Sequence, residues 1–195
     1  NQLLLDDGRD GSNNEPLAYG FTADNPQRAG DTFTDVRGVM GFAFGAFRLR
    51  PVDSEFFVAD GTNARTAQPD DVGGSLKAAA FNVLNYFTTI DTGGAACGPG
   101  LVGCRGADST SEFTRQEAKL VSALLALDAQ LVGLVELENN ASQSLADLVD
   151  ALNTAAGEPG RYAFVATGLI GADVIKVGLI YQPAAVTPTG SFAVL

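Results

Sequence analysis

Two apolar runs constrain the fold of this chain most. LKAAAFNVLNYF at 76–87 and QLVGLVELENN at 130–140 are each about the length of one strand, and an amphipathic stretch separates them. That stretch, EFTRQEAKLVSALLAL, puts Phe113, Leu120, Leu124 and Leu127 on one side of a helix at 112–127. The Ser109-Thr110-Ser111-Glu112 run before it has the form of a capping box. A second helix is predicted at 143–156, with Leu145, Leu148, Val149 and Leu152 inward and Gly157 at its end. RYAFVAT and DVIKVGLIYQP then read as consecutive strands. With strands at 76–84 and 130–136, the order strand–helix–strand–helix–strand defines an α/β layer architecture. No apolar run reaches the roughly 18 residues that span a bilayer.

The first 75 residues read differently, as short apolar clusters broken by Gly, Asp, Asn and Pro with no helical period. QLLLDDG is a strand entering a turn, and DTFTDVRGVMGFAFGAFRLRP reads as strands around Gly45, with FRLR alternating at period two. Residues 1–58 are therefore expected to form a small all-β module, 59–75 a linker, and 76–195 the α/β part. Phe42, Phe44 and Phe47 lie near Arg48 and Arg50, a spacing that suits either a single-strand stacking surface or a small-barrel core. DDGRDGSNNE is rich in oxygen ligands but lacks the order of a calcium loop, and reads as an acidic turn. The chain opens without an initiator Met or a signal-like segment, which reads as a processed or excised end.

With 23 Asp plus Glu against 12 Lys plus Arg, the net charge of −11 argues against a non-specific nucleic-acid coat. It does not oppose an enzyme that handles phosphate through a bound cation, since carboxylates hold such a cation. Cys97 and Cys104 share one Gly/Pro-rich loop, and the chain has no histidine, so the pair is not a zinc pattern. Either the two form a local disulfide, which implies an oxidising compartment, or they are two free thiols.

The polar residues that close the two apolar runs carry the chemistry. Period two puts Val132, Leu134 and Glu136 on one face, so Glu136 is a part-buried carboxylate that needs a metal or an Arg or Lys partner. Ala78, Ala80 and Asn82 share a face of the earlier strand. Asn82 can give a carbonyl oxygen to a hard cation, an amide hydrogen to a phosphate, or a bond to its own turn. Asn85 reads as a turn residue. Ligands collect at the carboxyl ends of strands in α/β sheets. Oxygen-only ligands indicate Mg²⁺ or Mn²⁺, with Ca²⁺ also admissible.

Lys176, mid-strand among apolar neighbours, is either an edge guard or a phosphate-facing charge. Asp173 opens the same strand and either forms a turn or reaches the site. Arg105 and Arg115 read as makers of exposed ion pairs rather than phosphate ligands. Asn140-Ala141-Ser142 fits a glycosylation sequon.

FNVLNYF, CRGADSTSEFTRQEAKLVSALLALDAQLVGLVELENN and GADVIKVGLIYQP, in this order, resemble the first half of a bacterial extracellular nuclease. The family is the endonuclease/exonuclease/phosphatase superfamily, in its pancreatic-deoxyribonuclease-like branch. The match runs over about 76–195. The DDG…AGDTFTDVRGVM…FGAFRLRP stretch resembles, more weakly, the OB-like β module that precedes the catalytic domain in this branch.

The resemblance implies a partial four-layer α/β/β/α sandwich preceded by a small all-β, OB-like module. It implies a secreted, divalent-metal-dependent hydrolase of phosphodiester bonds in DNA, and of RNA as an open alternative. Asn82 matches the strand-end Asn that positions phosphate and metal. Glu136 matches the Glu that binds Mg²⁺ or Mn²⁺. Asp173 lies close to where relatives place an active-site residue. Lys176 and Asn139 are candidate phosphate-binding residues, and the cysteine loop supports a Cys97–Cys104 disulfide. The family's later motifs, an Asp and Asn pair, a further Asp and a His general base, have no counterpart in these 195 residues. The chain thus reads as a fragment whose partners are nucleic acid and the C-terminal half of the catalytic domain, inactive by itself. Two other readings are a phosphatase or phospholipid phosphodiesterase of the same superfamily, and a non-catalytic nucleic-acid-binding module.

Overall fold

The computed structural model of the chain describes residues 3–6, 30–52, 66 and 68–194. The chain divides into two compact units, Asn1–Ala67 and Gln68–Leu195.

The first unit contains a three-stranded sheet of β1 (Leu4–Leu5), β2 (Gly38–Ala43) and β3 (Ala46–Pro51), in the order β1-β3-β2. Strands β2 and β3 form an antiparallel hairpin, and β1 runs parallel to β3. The hairpin turns on Phe44 and Gly45, with φ of 53° and 78°. Positive φ at both turn residues matches the right-handed twist of the flanking strands. Asp6 ties β1 to β3 through Arg48 at 3.1 Å. Phe42 and Phe47 meet edge to face at 5.0 Å, and Arg48 lies over the Phe44 ring at 5.4 Å. Phe42, Phe44 and Phe47 are 64%, 96% and 57% exposed. Most of the expected OB-like module, most of DDGRDGSNNE, and linker residues 59–65 and 67 lie outside the described residues.

The second unit is mixed α/β. Its elements are β4 (Ala78–Tyr86), β5 (Ala95–Cys97), β6 (Val102–Gly103), α1 (Thr110–Leu127), β7 (Leu131–Glu138), α2 (Gln143–Ala156), β8 (Ala163–Phe164) and β9 (Ile175–Tyr181). The main sheet has the order β4-β7-β9-β8. Strands β4 and β7 are parallel, joined through α1, while β9 is antiparallel to both β7 and β8. Helix α1 begins at Thr110, earlier than predicted, because Ser109 caps it: Ser109 Oγ accepts from Glu112 N, and Glu112 Oε2 accepts from Asp108 N at 3.0 Å. Its far end closes on Asp128, in the left-handed region at φ 44°. There Asp128 accepts from Arg161 at 2.9 Å and from Gln182 at 3.1 Å. Of RYAFVAT only Ala163–Phe164 pairs as a strand.

One sheet face packs on the two helices. Val83, Tyr86, Val132, Leu134, Leu137 and Ile180 meet Leu120, Leu124, Leu145, Leu148 and Leu152 in a single core. Removing a buried leucine such as Leu148 would cost about 2–5 kcal/mol. Gly178 lets this packing close up, since a Cβ there would lie 2.5 Å from Leu137 Cδ1 and 2.9 Å from Leu145 Cδ2. The opposite face is largely uncovered: Val135 and Val177 are exposed, and Phe192 and Val194 line its apolar depression.

Candidate functional site

The site begins with a break in the pairing of β4 and β7. The register runs evenly from Ala78↔Leu131 to Asn82↔Val135, and the next pair is Tyr86↔Leu137. Three residues of β4 therefore stand against one of β7, Glu136. The chain absorbs this with left-handed residues: Leu84 at φ 54°, Asn85 at 52° and Glu136 at 68°. Asparagine tolerates that region, whereas leucine and glutamate are strained there. Such bulges re-aim side chains.

The bulge corrects the simple period-two reading. In a regular strand Glu136 would follow Val132 and Leu134 toward the helices, away from Asn82 on the opposite face. Instead Leu137 takes the inward place, fully buried, and the Glu136 carboxylate reaches Asn82. Asn82 Nδ2 donates to Glu136 Oε1 at 2.7 Å, and the Asn85 N–H donates to Glu136 Oε2 at 3.2 Å. Asn82 Oδ1 accepts from Leu84 N at 2.7 Å, which is the turn bond among the roles expected of this residue. Gln116 Nε2 holds the bulge from α1 through the carbonyls of Val83, at 3.1 Å, and Leu84, at 2.7 Å. Asn85, expected only to shape a turn, is a direct partner of Glu136.

Glu136 is half-buried, and among the described residues no Lys or Arg pairs with it. Each of its oxygens keeps acceptor capacity beyond one hydrogen bond. Glu136 offers two carboxylate oxygens and Asn82 a carbonyl oxygen, all hard donors, but it is Asn82 Nδ2 that faces Glu136, while its Oδ1 faces Leu84 N. Among the described residues no group of three or more His, Cys, Asp or Glu could hold a metal. So few protein donors would leave most of the coordination sphere of a hard cation to water.

A disulfide loop braces the same end of the sheet. Cys97 and Cys104 are bonded, and Phe87, Cys97 and Val174 form a small second core. Two glycines allow the close approach: a Cβ at Gly98 would lie 2.7 Å from Val174 Cα, and one at Gly106 would lie 2.4 Å from Phe87 Cβ. Arg105, from this loop, lies 3.8 Å from Asp173. Asp173 Oδ1 accepts from Val174 N at 2.6 Å, which makes it the turn former at the start of β9. Its hydrogen bonds do not reach Asn82 or Glu136.

Asn139 and Lys176 do not fit the phosphate-binding role expected of them. Asn139 is fully buried. Its amide donates to the carbonyls of Ile170 and Asp173 at 2.8 and 2.9 Å and accepts from Ile170 N at 3.1 Å. It staples the 170–174 turn. Lys176 is 5% exposed and donates to the carbonyls of Ala141 and Gly168. Burial pushes its pKa down. With its side chain buried it is neither a solvent-facing edge guard nor open to a ligand.

Sequence reasoning passed over two further groups. Glu138 is 1% exposed, and its Oε2 accepts from Thr88 Oγ1, Thr89 N and Asn140 Nδ2. Asn140 Oδ1 in turn accepts from Ser144 N at 3.1 Å, so the sequon asparagine has its side chain engaged at the start of α2. The Tyr86 hydroxyl, beneath the helices, lies 2.5 Å from Asp147 Oδ2 and 3.1 Å from Glu117 Oε1. Burial, then the neighbouring carboxylates, raises the Tyr86 pKa. Burial likewise raises Glu117, with the Asp147 charge adding to it. The signal available in the sequence was the helical spacing that puts Glu117 beside Leu120, Val121 and Leu124 on the inner side of α1.

No family model matches the chain, and no curated protein or solved structure shows significant similarity to it. Among the described residues no helix is long and apolar enough to cross a membrane.

Proposed function

We propose that the chain is part of a secreted, divalent-metal-dependent nuclease, and that Asn82 and Glu136 hold one side of its metal and phosphate site. The observation that carries this reading is the Glu136 carboxylate. It is turned by a strained bulge toward Asn82 at the strand ends and has no cationic partner among the described residues. A backbone in a costly conformation that presents a charged group suits function better than stability. The motif order in the sequence supplies the family, and the disulfide suits an oxidising, extracellular setting.

In this reading Glu136 and the Asn82 carbonyl oxygen bind Mg²⁺ or Mn²⁺, which when bound neutralises charge developing on the phosphodiester. Asn85 N–H and Asn82 Nδ2 orient the carboxylate. The uncovered sheet face, with Val135 and Val177 exposed, supports a sandwich whose second sheet comes from the C-terminal half of the catalytic domain. That half would supply the general base and the groups that assist the leaving oxygen.

Plasmid nicking tests the proposal. The chain alone is expected to be inactive with Mg²⁺, Mn²⁺ or EDTA. Together with the remaining catalytic domain it is expected to nick only with metal, and Glu136→Gln to lower the rate by at least about 100-fold. Nicking that persists in EDTA, or that survives Glu136→Gln, rules the proposal out.

A second reading, a nucleic-acid-binding β module, is favoured by the exposed Phe42, Phe44 and Phe47 beside Arg48. Exposed rings with an adjacent guanidinium suit base stacking. Loss of oligonucleotide affinity on Phe44→Ala, with metal-dependent cutting unchanged, would support it.

A further inference from the structure

A cleft of about 440 Å³ lies on the other side of the Leu84–Asn85 bulge, lined by these two residues with Arg105, Arg115, Gln116 and Lys119. Leu84 and Asn85 are its common wall with the candidate metal site, because Asn85 N–H is bonded to Glu136. The charge here is opposite to that of the chain. Three of its 12 basic residues converge on one cleft while the net charge is −11.

They come from two separate segments. Arg115 and Lys119 stand one turn apart on α1, and Arg105 comes from the disulfide loop. Arg115 and Lys119 are exposed and form no ion pair among the described residues, contrary to the ion-pair expectation for Arg115. Like charges at this helical spacing repel, so helix stability does not explain them. The one acidic residue in the wall, Glu112, has its carboxylate on Asp108 N–H. Arg105 does pair with Asp173, but at 3.8 Å and with both side chains more than half exposed, a contact that a phosphate can replace.

We infer that the Arg105–Arg115–Lys119 cleft binds the phosphate backbone of a nucleic-acid strand beside the bond held at Asn82 and Glu136. An open trough with cations on two walls suits several phosphates in a row better than one small anion, and arginine's fork of N–H donors fits phosphate oxygens. Arginine and lysine can also read base edges, but in an open trough the anions they meet first are phosphates, and the neutral base-reading side chains here are Asn85 and Gln116. Gln116 Nε2 is already committed to backbone carbonyls. The contact is therefore to backbone and independent of sequence. The inference rests on the nuclease reading for the identity of the bound polymer.

The test is fluorescence anisotropy of a labelled single-stranded oligodeoxynucleotide with the full chain, in EDTA, across a salt series. For Arg115→Ala/Lys119→Ala the slope of log affinity against log salt should shrink by about 1.4, the loss of two single-strand phosphate contacts. Arg105→Ala, on a separate element, should shrink it by about 0.7. Lys77→Ala, at the opposite end of β4, should leave it unchanged. Absence of binding by the unaltered chain, an unchanged slope in the cleft variants, or an equal loss in Lys77→Ala overturns the inference. EDTA keeps metal off Glu136, so these outcomes judge the cleft alone, whereas the nicking assay judges the metal site alone.

Discussion

Asn82 Nδ2 donates to Glu136 Oε1 across 2.7 Å, joining two strands through residues 54 positions apart. Asn82→Asp would set two carboxylates at that distance, and like charges so close disfavour ionisation of both. In EDTA the variant is expected to lose about 1–3 kcal/mol of stability, from the lost donor and the repulsion. If the pair holds a cation, Mg²⁺ should recover much of that loss, since a ligand bound only by the folded state stabilises it. Urea melts in EDTA and in Mg²⁺ measure both quantities. A variant that melts identically in the two conditions would remove the metal from this pair.

The Tyr86 hydroxyl has one hydrogen for two carboxylates, at 2.5 Å from Asp147 and 3.1 Å from Glu117. Its proton goes to the nearer one, and a proton on Glu117 completes the network. Burial holds the Glu117 pKa above its ordinary 4.5. The folded chain thus keeps a proton there at pH values where the unfolded chain has lost it. This contribution is fully present below the ordinary value and is lost as pH rises through the raised one. Melting temperatures between about pH 4 and about pH 8 should decline less for Glu117→Gln than for the unaltered chain. An unchanged decline would mean that other groups set the pH dependence.

Asn139 makes three side-chain hydrogen bonds in full burial. Asn139→Ala should cost about 1–3 kcal/mol, because it removes the partner of backbone groups of Ile170 and Asp173 and leaves a small void at a fully buried side chain. Denaturant titration measures the loss. A residue held open for phosphate would instead lower affinity and leave stability nearly unchanged.

The Cys97–Cys104 bridge closes a short loop, with a sequence separation of 7. Chain-entropy reasoning gives about 2–3 kcal/mol for it. Reduction should lower the melting temperature and loosen the packing of Gly98 on Val174. Gly106→Ala, with its Cβ forced to 2.4 Å from Phe87, should destabilise by a similar amount with the disulfide intact. Differential scanning calorimetry of both, oxidised and reduced, separates the covalent contribution from the steric one.

The alternation of strands and helices was legible because β4, α1, β7 and α2 each carry a clean period. Helix α2 has its expected bounds, and Gly157 ends it in the left-handed region at φ 66°. The geometry at the strand ends was not legible. Period two places Glu136 on the wrong face, and nothing in LVELEN announces a glutamate with positive φ. That conformation belongs to the three-for-one bulge, in which Gln116 holds the Val83 and Leu84 carbonyls and Leu137 takes the inward place, both tertiary effects. Asn139 misled because an amide next to an acidic strand end looks like a ligand, while its burial depends on the 170–174 turn some 30 residues later. The cleft was obscured for a similar reason: Arg105 and Arg115 were weighed singly, and only the fold puts them together with Lys119.

The parallel pairing of β4 with β7 has a kinetic consequence. Its strands cannot meet through a tight turn, so the chain must span the disulfide loop and α1 before Asn82 can find Glu136. A contact of 54-residue span closes a large loop before it returns any stabilisation. The Asn82–Glu136 pair should therefore be among the last features to assemble and the first to open. A spectroscopic probe placed there would report completion of the whole crossover and not the formation of any one element.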